Sequence, residues 1–296
     1  MLQYNPAERE FEGPVIACVQ MEPRIGAKRD NVDRSIRHIE TAARNGASLV
    51  VLPELSNTGY VFADRDEAFS LAEALPDGET AQVFAEAAQR LGIHIVAGVA
   101  ERAGTRLYNS ALFAGPSGHI GVYRKLHLWN NENLFFEPGD LGVPVFDTPL
   151  GRIAMAICYD GWFPETYRLA AVQGADIVCV PTNWVPMPAQ PDDRPAMATT
   201  LTMAAAHSNG MAIACANRIG TERGQPFIGQ SLIVGGDGWP VAGPASSDCE
   251  EILYAAIDLK RTRSGRTLNA FNQVLRDRRA DAYNPMLGTG SPSSCP

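Results

Sequence analysis

The sequence predicts a layered α/β sandwich, and three observations support this fold class. Short runs rich in β-branched residues alternate with amphipathic helical patterns, beginning with a strand at residues 15–19. The alternation occurs twice along the chain, with a hairpin-like arrangement of strands in each half. No Pro-, Gly- or Ser-rich linker separates the two halves, so two independent domains are not expected.

The first half is predicted to contain two helices among five strands. Val32, Ile36 and Ile39 recur at helical spacing, and Gly46 ends that helix. A second helix carries Phe84 on its apolar side and has Thr80 and Gly92 as its two caps. The predicted strands are residues 15–19, 49–53, 93–99, 108–113 and 119–123.

The second half repeats this pattern. Pro164 suits the first position of one helix, and a second helix over residues 194–208 is stopped by Asn209 and Gly210. The predicted strands are residues 143–146, 152–157, 177–180, 212–216, 230–234 and 252–257. The last residues, 288–296, are small and polar and are expected to form a mobile tail.

Composition and charge exclude several classes of partner. A chain of 296 residues with 45% hydrophobic and 20% charged residues is typical of a globular protein that can enclose a site. The net charge of −8 argues against nucleic acid or an anionic membrane as the main partner, because both need a basic face. No run of residues is long and apolar enough to span a membrane, and the N-terminus does not resemble a signal peptide, so a cytoplasmic setting is expected.

The six cysteines are scattered, and none has the spacing of a metal ligand, so no metal is expected. Cys158 differs from the others. An apolar strand leads to it, a tight turn follows, and Pro164 opens a helix shortly afterwards. The positive end of that helix is expected to favour the thiolate over the thiol, and the Tyr159 N–H is expected to face an oxyanion. An inert, buried cysteine remains the alternative interpretation.

Two further segments place a charged side chain where a strand ends. Glu54 follows the apolar run Val50–Pro53, where burial in an apolar pocket would raise the pKa of its carboxyl toward that of a general base. Lys125 follows the strand at residues 119–123. Taken separately, each side chain is more typical of a solvated loop or surface position.

Together, the three segments resemble the nitrilase superfamily of carbon–nitrogen hydrolases. The matching motifs are Leu52-Pro53-Glu54, Tyr123-Arg124-Lys125-Leu126-His127-Leu128 and Cys158-Tyr159-Asp160-Gly161-Trp162-Phe163-Pro164-Glu165, in the order found in that family. The resemblance runs from about residue 15 to residue 263. It predicts a hydrolase domain at residues 14–275, an N-terminal extension at 1–13 and a C-terminal tail at 276–296.

The resemblance implies an αββα sandwich of the nitrilase type, no cofactor, and a homodimer or higher homo-oligomer that packs helix against helix. It implies that Glu54 is the base, Cys158 the nucleophile, and Lys125 and the Tyr159 N–H the oxyanion donors. It also implies that Glu132 is a second acid, which either orients Lys125 or assists proton movement. The residues expected to contact substrate are Asn183, Trp184, Trp162, Tyr60 and Trp129.

The residues after Cys158 favour the amidase-like branch of the family. Tyr159-Asp160-Gly161-Trp162 differs from the Trp-Glu of many nitrilases and from the Asn-Asp-Arg-Arg of N-carbamoyl-D-amino-acid hydrolases. The expected reaction converts a small amide to a carboxylic acid and ammonia through a thioester. A nitrile or an N-carbamoyl compound remains open as substrate. An acyltransferase, a cysteine–histidine hydrolase and a non-catalytic binding module also remain open as functions.

Overall fold

The computed structural model describes residues 13–191 and 193–283. The strands are β1 (Val15–Gln20), β2 (Ala47–Val51), β3 (His94–Ala103), β4 (Arg106–Gly115), β5 (Gly118–Arg124), β6 (Val145–Thr148), β7 (Gly151–Met155), β8 (Ile177–Pro181), β9 (Ala212–Ala216), β10 (Thr221–Glu222), β11 (Gln225–Pro226), β12 (Leu232–Val234), β13 (Pro240–Ala242) and β14 (Glu251–Ala256). The α-helices are α1 (Lys28–Arg44), α2 (Arg65–Leu71), α3 (Glu79–Leu91), α4 (Glu132–Phe135), α5 (Pro164–Val172), α6 (Met197–Asn209), α7 (Leu259–Thr262) and α8 (Ala280–Tyr283). Cys158–Trp162 and Arg263–Arg266 form 3₁₀ turns.

Two six-stranded sheets are built on the same plan. Their strand orders are β14-β1-β2-β3-β4-β5 and β13-β12-β9-β8-β7-β6. In the first sheet β1, β2 and β3 run parallel, and in the second β7, β8 and β9 do so. Antiparallel strands complete both sheets on either side. The repeated alternation in the sequence therefore corresponds to two similar halves. Each half supplies five or more strands of one sheet, and β14, from the end of the second half, completes the first sheet beside β1.

The alternation of side chains along β1 shows how the layers stack. Ile16 and Cys18 are buried in the core between the two sheets, whereas Ala17 and Val19 are buried on the opposite face, against α1 and α3. Helices α5 and α6 cover the outer face of the second sheet. The layers are helix, sheet, sheet and helix, which confirms the predicted αββα sandwich.

Several predicted boundaries shift for identifiable reasons. Helix α6 begins at Met197 rather than at Arg194, because a residue that precedes a proline, here Pro195, avoids the helical conformation. Thr80 does not cap α3; its hydroxyl donates to Glu73 Oε1 at 2.9 Å, and Gly78 is the cap residue. Gly92 is confirmed as the left-handed C-cap, with φ of 69°.

The ends of the chain lie mostly outside the described residues. Of the predicted N-terminal extension only Gly13 is described, and of the predicted C-terminal tail only residues 276–283, which include α8. The predicted mobile segment at residues 288–296 lies wholly outside the described part. Within residues 13–191 and 193–283, no helix has the length and apolar character needed to cross a bilayer.

Candidate active site

The three reactive side chains predicted from sequence follow strand ends. Glu54 lies three residues after β2, Lys125 directly after β5, and Cys158 three residues after β7. Strands β2 and β7 belong to facing sheets, so their ends can bring side chains together across the core. The charges of both Glu54 and Lys125 act on the Cys158 thiol, which places the three groups in one site.

Lys125 lies between two carboxylates. Its Nζ is 2.6 Å from Glu54 Oε1 and 2.7 Å from Glu132 Oε1. All three side chains are almost completely buried, with residue exposures of 1%, 0% and 4% for Lys125, Glu54 and Glu132. Asn109 on β4 donates a further hydrogen bond to Glu54 Oε1 at 2.7 Å. These contacts fix the ammonium and both carboxylates.

Burial and charge set the protonation of this group. Burial raises the pKa of Glu54 to about 7, although the positive charge of Lys125 works against the shift. Burial alone would lower the pKa of Lys125, but the charges of Glu132 and Glu54 outweigh it, so the pKa is raised and the ammonium is retained. Near neutral pH the site therefore contains a permanent cation beside a carboxyl that can gain or lose a proton.

Cys158 is placed differently from the sequence-based expectation. It begins a 3₁₀ turn, and α5 starts only at Pro164. Burial raises the pKa of the thiol, the Glu54 charge raises it further, and Lys125 only partly offsets these effects. The expected thiolate at a helix terminus is therefore wrong, because burial outweighs any dipole effect; the free site holds a thiol. The positive φ of 46° at Cys158 marks a strained turn for a residue other than glycine.

One backbone N–H and one side-chain hydroxyl contact the sulfur. The Asn183 N–H and the Thr182 side chain both act to lower the pKa of the thiol. Tyr159 occupies the first turn of the 3₁₀ segment, where a backbone N–H has no acceptor within its own helix. The Asn183 side chain donates to the backbone oxygen of Glu54 at 3.0 Å, which ties the end of β8 to the segment after β2.

A small apolar pocket opens next to the sulfur. Its volume is about 20 Å³, which is room for about one water molecule. Four of the five side chains expected to contact substrate line it, and so does Cys158. The lining residues are Trp129, Cys158, Tyr159, Trp162, Asn183, Trp184, Val185 and Met187. The ring of Trp129 meets that of Tyr159 edge to face, with centroids 4.9 Å apart. The walls therefore favour a small, neutral group.

Tyr60, the fifth expected substrate contact, does not line that pocket. Its hydroxyl donates to Glu132 Oε1 at 2.6 Å, so it touches the same oxygen as Lys125. Tyr60 lines an adjacent pocket of about 60 Å³ together with Trp129 and Glu132. The structure thus places Tyr60 among the charged groups of the site.

Asp160 belongs to the cysteine motif but has no role predicted from sequence, and the structure places it at the centre of a hydrogen-bonded clamp. Its buried carboxylate accepts from Tyr123 Oη at 2.6 Å, from the Ile157 N–H at 2.9 Å and from the His127 N–H at 3.0 Å. His127 Nδ1 also lies 2.8 Å from it. The His127 ring stacks on Phe163 at 3.6 Å. The clamp joins the segment after β5 to the cysteine turn.

Asn109 is a further site residue that sequence reasoning missed. The signal that could have found it is a polar residue inside an otherwise apolar strand, because a buried polar side chain needs a partner. That pattern cannot identify the partner, which is separated from it by 55 positions along the chain.

The fold and the site together define a hydrolase of the αββα class, whose site holds a buried thiol, a buried lysine and two carboxylates. The family model of carbon–nitrogen hydrolases matches residues 15–267, and the chain belongs to this family, within the nitrilase superfamily. This agrees with the resemblance drawn from the motifs.

Relatives and solved structures support the assignment. The chain is 43% identical to a nitrilase of Pyrococcus abyssi, over 90% of this chain and 98% of that protein. It is 33% identical to an N-carbamoylputrescine amidase of Arabidopsis thaliana, over 87% and 90% of the two chains. A mutant amidase from Nesterenkonia sp. AN1 superposes with a TM-score of 0.75 at 26% identity, covering 92% of this chain and 99% of that one. In that structure acrylamide is added to the active-site cysteine.

Proposed function

We propose that this carbon–nitrogen hydrolase converts a small linear amide to a carboxylic acid and ammonia through a thioester on Cys158. The observation that carries the proposal is the ion-paired Lys125, held at 2.6 Å from Glu54 and 2.7 Å from Glu132 beside a buried thiol. A fixed cation at this position suits a reaction in which negative charge develops next to the sulfur.

In the proposed mechanism, Glu54 takes the proton of Cys158 as the sulfur attacks the amide carbon. Because the pKa of the thiol lies above that of Glu54, proton transfer is expected to accompany attack and not to precede it. Lys125 and the Tyr159 N–H stabilise the tetrahedral oxyanion. A preorganised donor of this kind contributes about 2.7–4 kcal/mol.

The same carboxyl completes both halves of the reaction. Glu54, now protonated, gives its proton to the leaving nitrogen, and ammonia departs as the thioester forms. A water molecule then loses a proton to Glu54 and attacks the thioester carbon. The acid is released as the carbon–sulfur bond breaks, and Glu54 returns the proton to the sulfur, which restores the thiol. A pKa of about 7 suits Glu54 to accept and donate protons near neutral pH.

The pocket walls support a small acyl group. Trp129, Trp162 and Trp184 surround a volume of about 20 Å³, and the pocket surface is almost wholly apolar. Within that limit a nitrile is the second candidate, because the Pyrococcus abyssi relative is named a nitrilase. An N-carbamoyl compound is the third, because another relative is named N-carbamoylputrescine amidase.

The decisive experiment is an ammonia-release screen across aliphatic and aryl amides, nitriles and N-carbamoyl compounds. In parallel, mass spectrometry detects whether an acyl group is added at Cys158, and Cys158→Ala is the matched control. We expect turnover of small amides and an adduct that the variant lacks. Ammonia release undiminished in Cys158→Ala would overturn the proposal.

A competing amine separates the hydrolase from the acyltransferase, since both would share the acyl-enzyme. We expect free acid to be the main product when an amide and an amine are supplied together. Transferred acyl product without free acid would assign the chain to the acyltransferases instead.

We further propose that the enzyme is a cytoplasmic homo-oligomer that needs no cofactor. The described cysteines Cys18, Cys158, Cys179, Cys215 and Cys249 are free thiols, which suits a reducing compartment. Exposed apolar side chains on α5 and α6, among them Leu169 and Met197, support association through these helices.

A further inference from the structure

A short hairpin from the second half of the chain reaches the segment that carries Tyr60. Glu222, on β10, is almost fully buried, and its Oε2 accepts the backbone N–H groups of Tyr60 and Val61, both at 2.7 Å. The two contacts join residues more than 160 positions apart. Glu222 therefore anchors the backbone of this segment.

A buried arginine completes the anchor. Arg218 is only 1% exposed, and its Nη1 lies 3.2 Å from Glu222 Oε1. Its guanidinium lies 4.1 Å from the centre of the Phe227 ring, and that ring meets Tyr60 edge to face at 5.8 Å. Tyr60 is thus supported through its backbone by Glu222 and through its ring by Phe227.

Gly59 shows how closely the two segments approach. Its φ of 83° is a conformation that favours glycine. A Cβ at this position would lie 2.5 Å from backbone atoms of Ile25 and 2.8 Å from Glu222 Oε1. The segment can therefore reach Glu222 along this path only because residue 59 has no side chain.

Tyr60 connects this anchor to the charged groups of the site. Its hydroxyl donates to Glu132 Oε1 at 2.6 Å, and Lys125 Nζ lies 2.7 Å from the same oxygen. Two donors converge on one carboxylate oxygen, so a shift of the Tyr60 hydroxyl changes how Glu132 holds the ammonium. This links Arg218 and Glu222 to the proposed oxyanion donor.

We propose that Glu222, paired with Arg218, is a positioning residue of this enzyme: it holds Tyr60, whose hydroxyl orients Glu132 and thereby the ammonium of Lys125. Neither Arg218 nor Glu222 touches the nucleophile in this arrangement. The inference rests on the proposed function for the role of Lys125 as an oxyanion donor. The connection from Glu222 through Tyr60 and Glu132 to Lys125 rests on the contacts described above.

A double-mutant cycle tests whether Glu222 acts through the Tyr60 hydroxyl. Glu222→Gln keeps the size of the side chain and removes its charge, and Tyr60→Phe keeps the ring and removes the hydroxyl. We expect each single change to lower kcat about tenfold and to leave KM within about twofold of the wild-type value. We expect kcat of the double variant to be at most about threefold lower than kcat of the less active single variant. Additive losses, about 100-fold in total, would overturn the proposal.

A matched control exists on the same hairpin. Arg223 pairs with Glu67 at 2.6 Å and thereby joins the hairpin to α2 at a partly exposed position. Glu67→Gln breaks this ion pair without touching the Tyr60 N–H. We expect kcat of the wild-type level in Glu67→Gln. If kcat fell as much in Glu67→Gln as in Glu222→Gln, loosening the hairpin would be sufficient to lower activity, and a specific role for Glu222 would be excluded.

A second measurement does not depend on the substrate. The rate at which acrylamide alkylates Cys158 is followed by mass spectrometry, and Lys125 acts to lower the pKa of that thiol. We expect slower alkylation in Tyr60→Phe and Glu222→Gln and an unchanged rate in Glu67→Gln. Unchanged rates in the first two would overturn the positioning role. Failure of the wild type to hydrolyse any amide in the screen would instead overturn the proposed function.

Phe227→Leu provides a test that remains valid if Glu222→Gln does not fold. It removes the ring that supports Tyr60 and leaves the Arg218–Glu222 ion pair in place. We expect a smaller loss of kcat than in Glu222→Gln, and no further loss when it is combined with Tyr60→Phe. If Phe227→Leu lowered kcat in the Tyr60→Phe variant by the same factor as in the wild type, the proposed connection from Phe227 through Tyr60 would be contradicted.

Discussion

At the scale of single residues, the site concentrates buried charge. Two carboxylates and one ammonium are almost fully removed from water, so with all three ionised the group carries one excess negative charge. Burying ions in this way costs stability unless each is paired and hydrogen bonded. The Glu54 Oε2 atom, which has no hydrogen-bond partner among the described residues, shows that pairing is incomplete. The proposed catalytic role accounts for such an arrangement.

The raised pKa of Glu54 predicts the acid limb of the activity profile. Glu54 must be deprotonated to accept the Cys158 proton, and burial raises its pKa to about 7. We expect kcat/KM to fall about tenfold per pH unit below about pH 7. The measurement is kcat/KM from pH 5 to pH 9 on the best amide of the screen. A rate that stays level down to pH 5 would exclude Glu54 as the base.

The same shift predicts how stability depends on pH. Because the pKa of Glu54 is raised from 4.5 to about 7 on folding, the native state binds more protons than the unfolded state between these values. This group therefore lowers stability as pH rises through that window. At about 1.4 kcal/mol per pKa unit, raising the pKa from 4.5 to about 7 costs at most roughly 3–4 kcal/mol of stability at pH 8.

Glu54→Gln removes that cost, so we expect the variant to be more stable than the wild type at pH 8 and the difference to vanish near pH 4.5. Urea unfolding at both pH values measures this effect. Identical stability of the two proteins at pH 8 would show that the buried carboxylate carries no such penalty.

At the scale of elements, Asp160 joins the cysteine turn to the end of β5. Three hydrogen-bond donors and His127 Nδ1 lie within 3.0 Å of its carboxylate oxygens. One of these donors is the N–H of Ile157, the residue before the strained Cys158, so the clamp supports the turn where backbone strain is stored. It also fixes the segment that carries Lys125.

Asp160→Asn is expected to lower both stability and activity. The amide presents one acceptor oxygen where the carboxylate presents two, so at least one buried donor loses its partner, at a cost of about 1–3 kcal/mol. We expect kcat to fall more than tenfold. Tyr123→Phe is the control, because it removes only one donor and leaves the carboxylate intact. Urea unfolding and amide turnover give the two readouts, and wild-type kcat in Asp160→Asn would refute the role of the clamp.

At the scale of the whole molecule, the outer helical layer of the second sheet carries several exposed apolar side chains. Leu169 and Val172 on α5 and Met197 on α6 are all more than 40% exposed. Single exposed apolar residues are common, but exposed apolar residues on two helices of the same layer favour association through that layer. This is the surface through which we propose that copies of the chain associate.

Leu169→Asp places a charge on that surface and is expected to shift the enzyme toward the monomer. Trp239→Asp, at the turn between β12 and β13, is the control, since Trp239 is 67% exposed and lies on a different element. Sedimentation velocity at several concentrations measures the distribution. An unchanged oligomer in Leu169→Asp, or a monomeric wild type, would contradict the proposed interface.

Local patterns in the sequence determined much of the fold. The apolar run ending at Pro53 predicted a strand. In the structure, Leu49 and Val50 lie on opposite faces of β2 in separate cores, so both faces of this strand are buried. The spacing of apolar residues along a helix or strand is a property of neighbouring residues. It therefore predicts the element and its buried face without knowledge of tertiary contacts. Short elements such as α4 and the β10–β11 hairpin have too few residues for a period and were missed.

The sequence by itself also determined which residue types were available for the chemistry, because Glu54, Lys125 and Cys158 each follow a strand and match the motifs of one family. Only the tertiary structure decided what surrounds them. Desolvation reversed the expected direction of the pKa shift at Cys158. The partners Asn109 and Glu222 became visible only through contacts between distant parts of the chain. Protonation and orientation depend on burial and on atoms close in space, and neither is contained in the local order of residues.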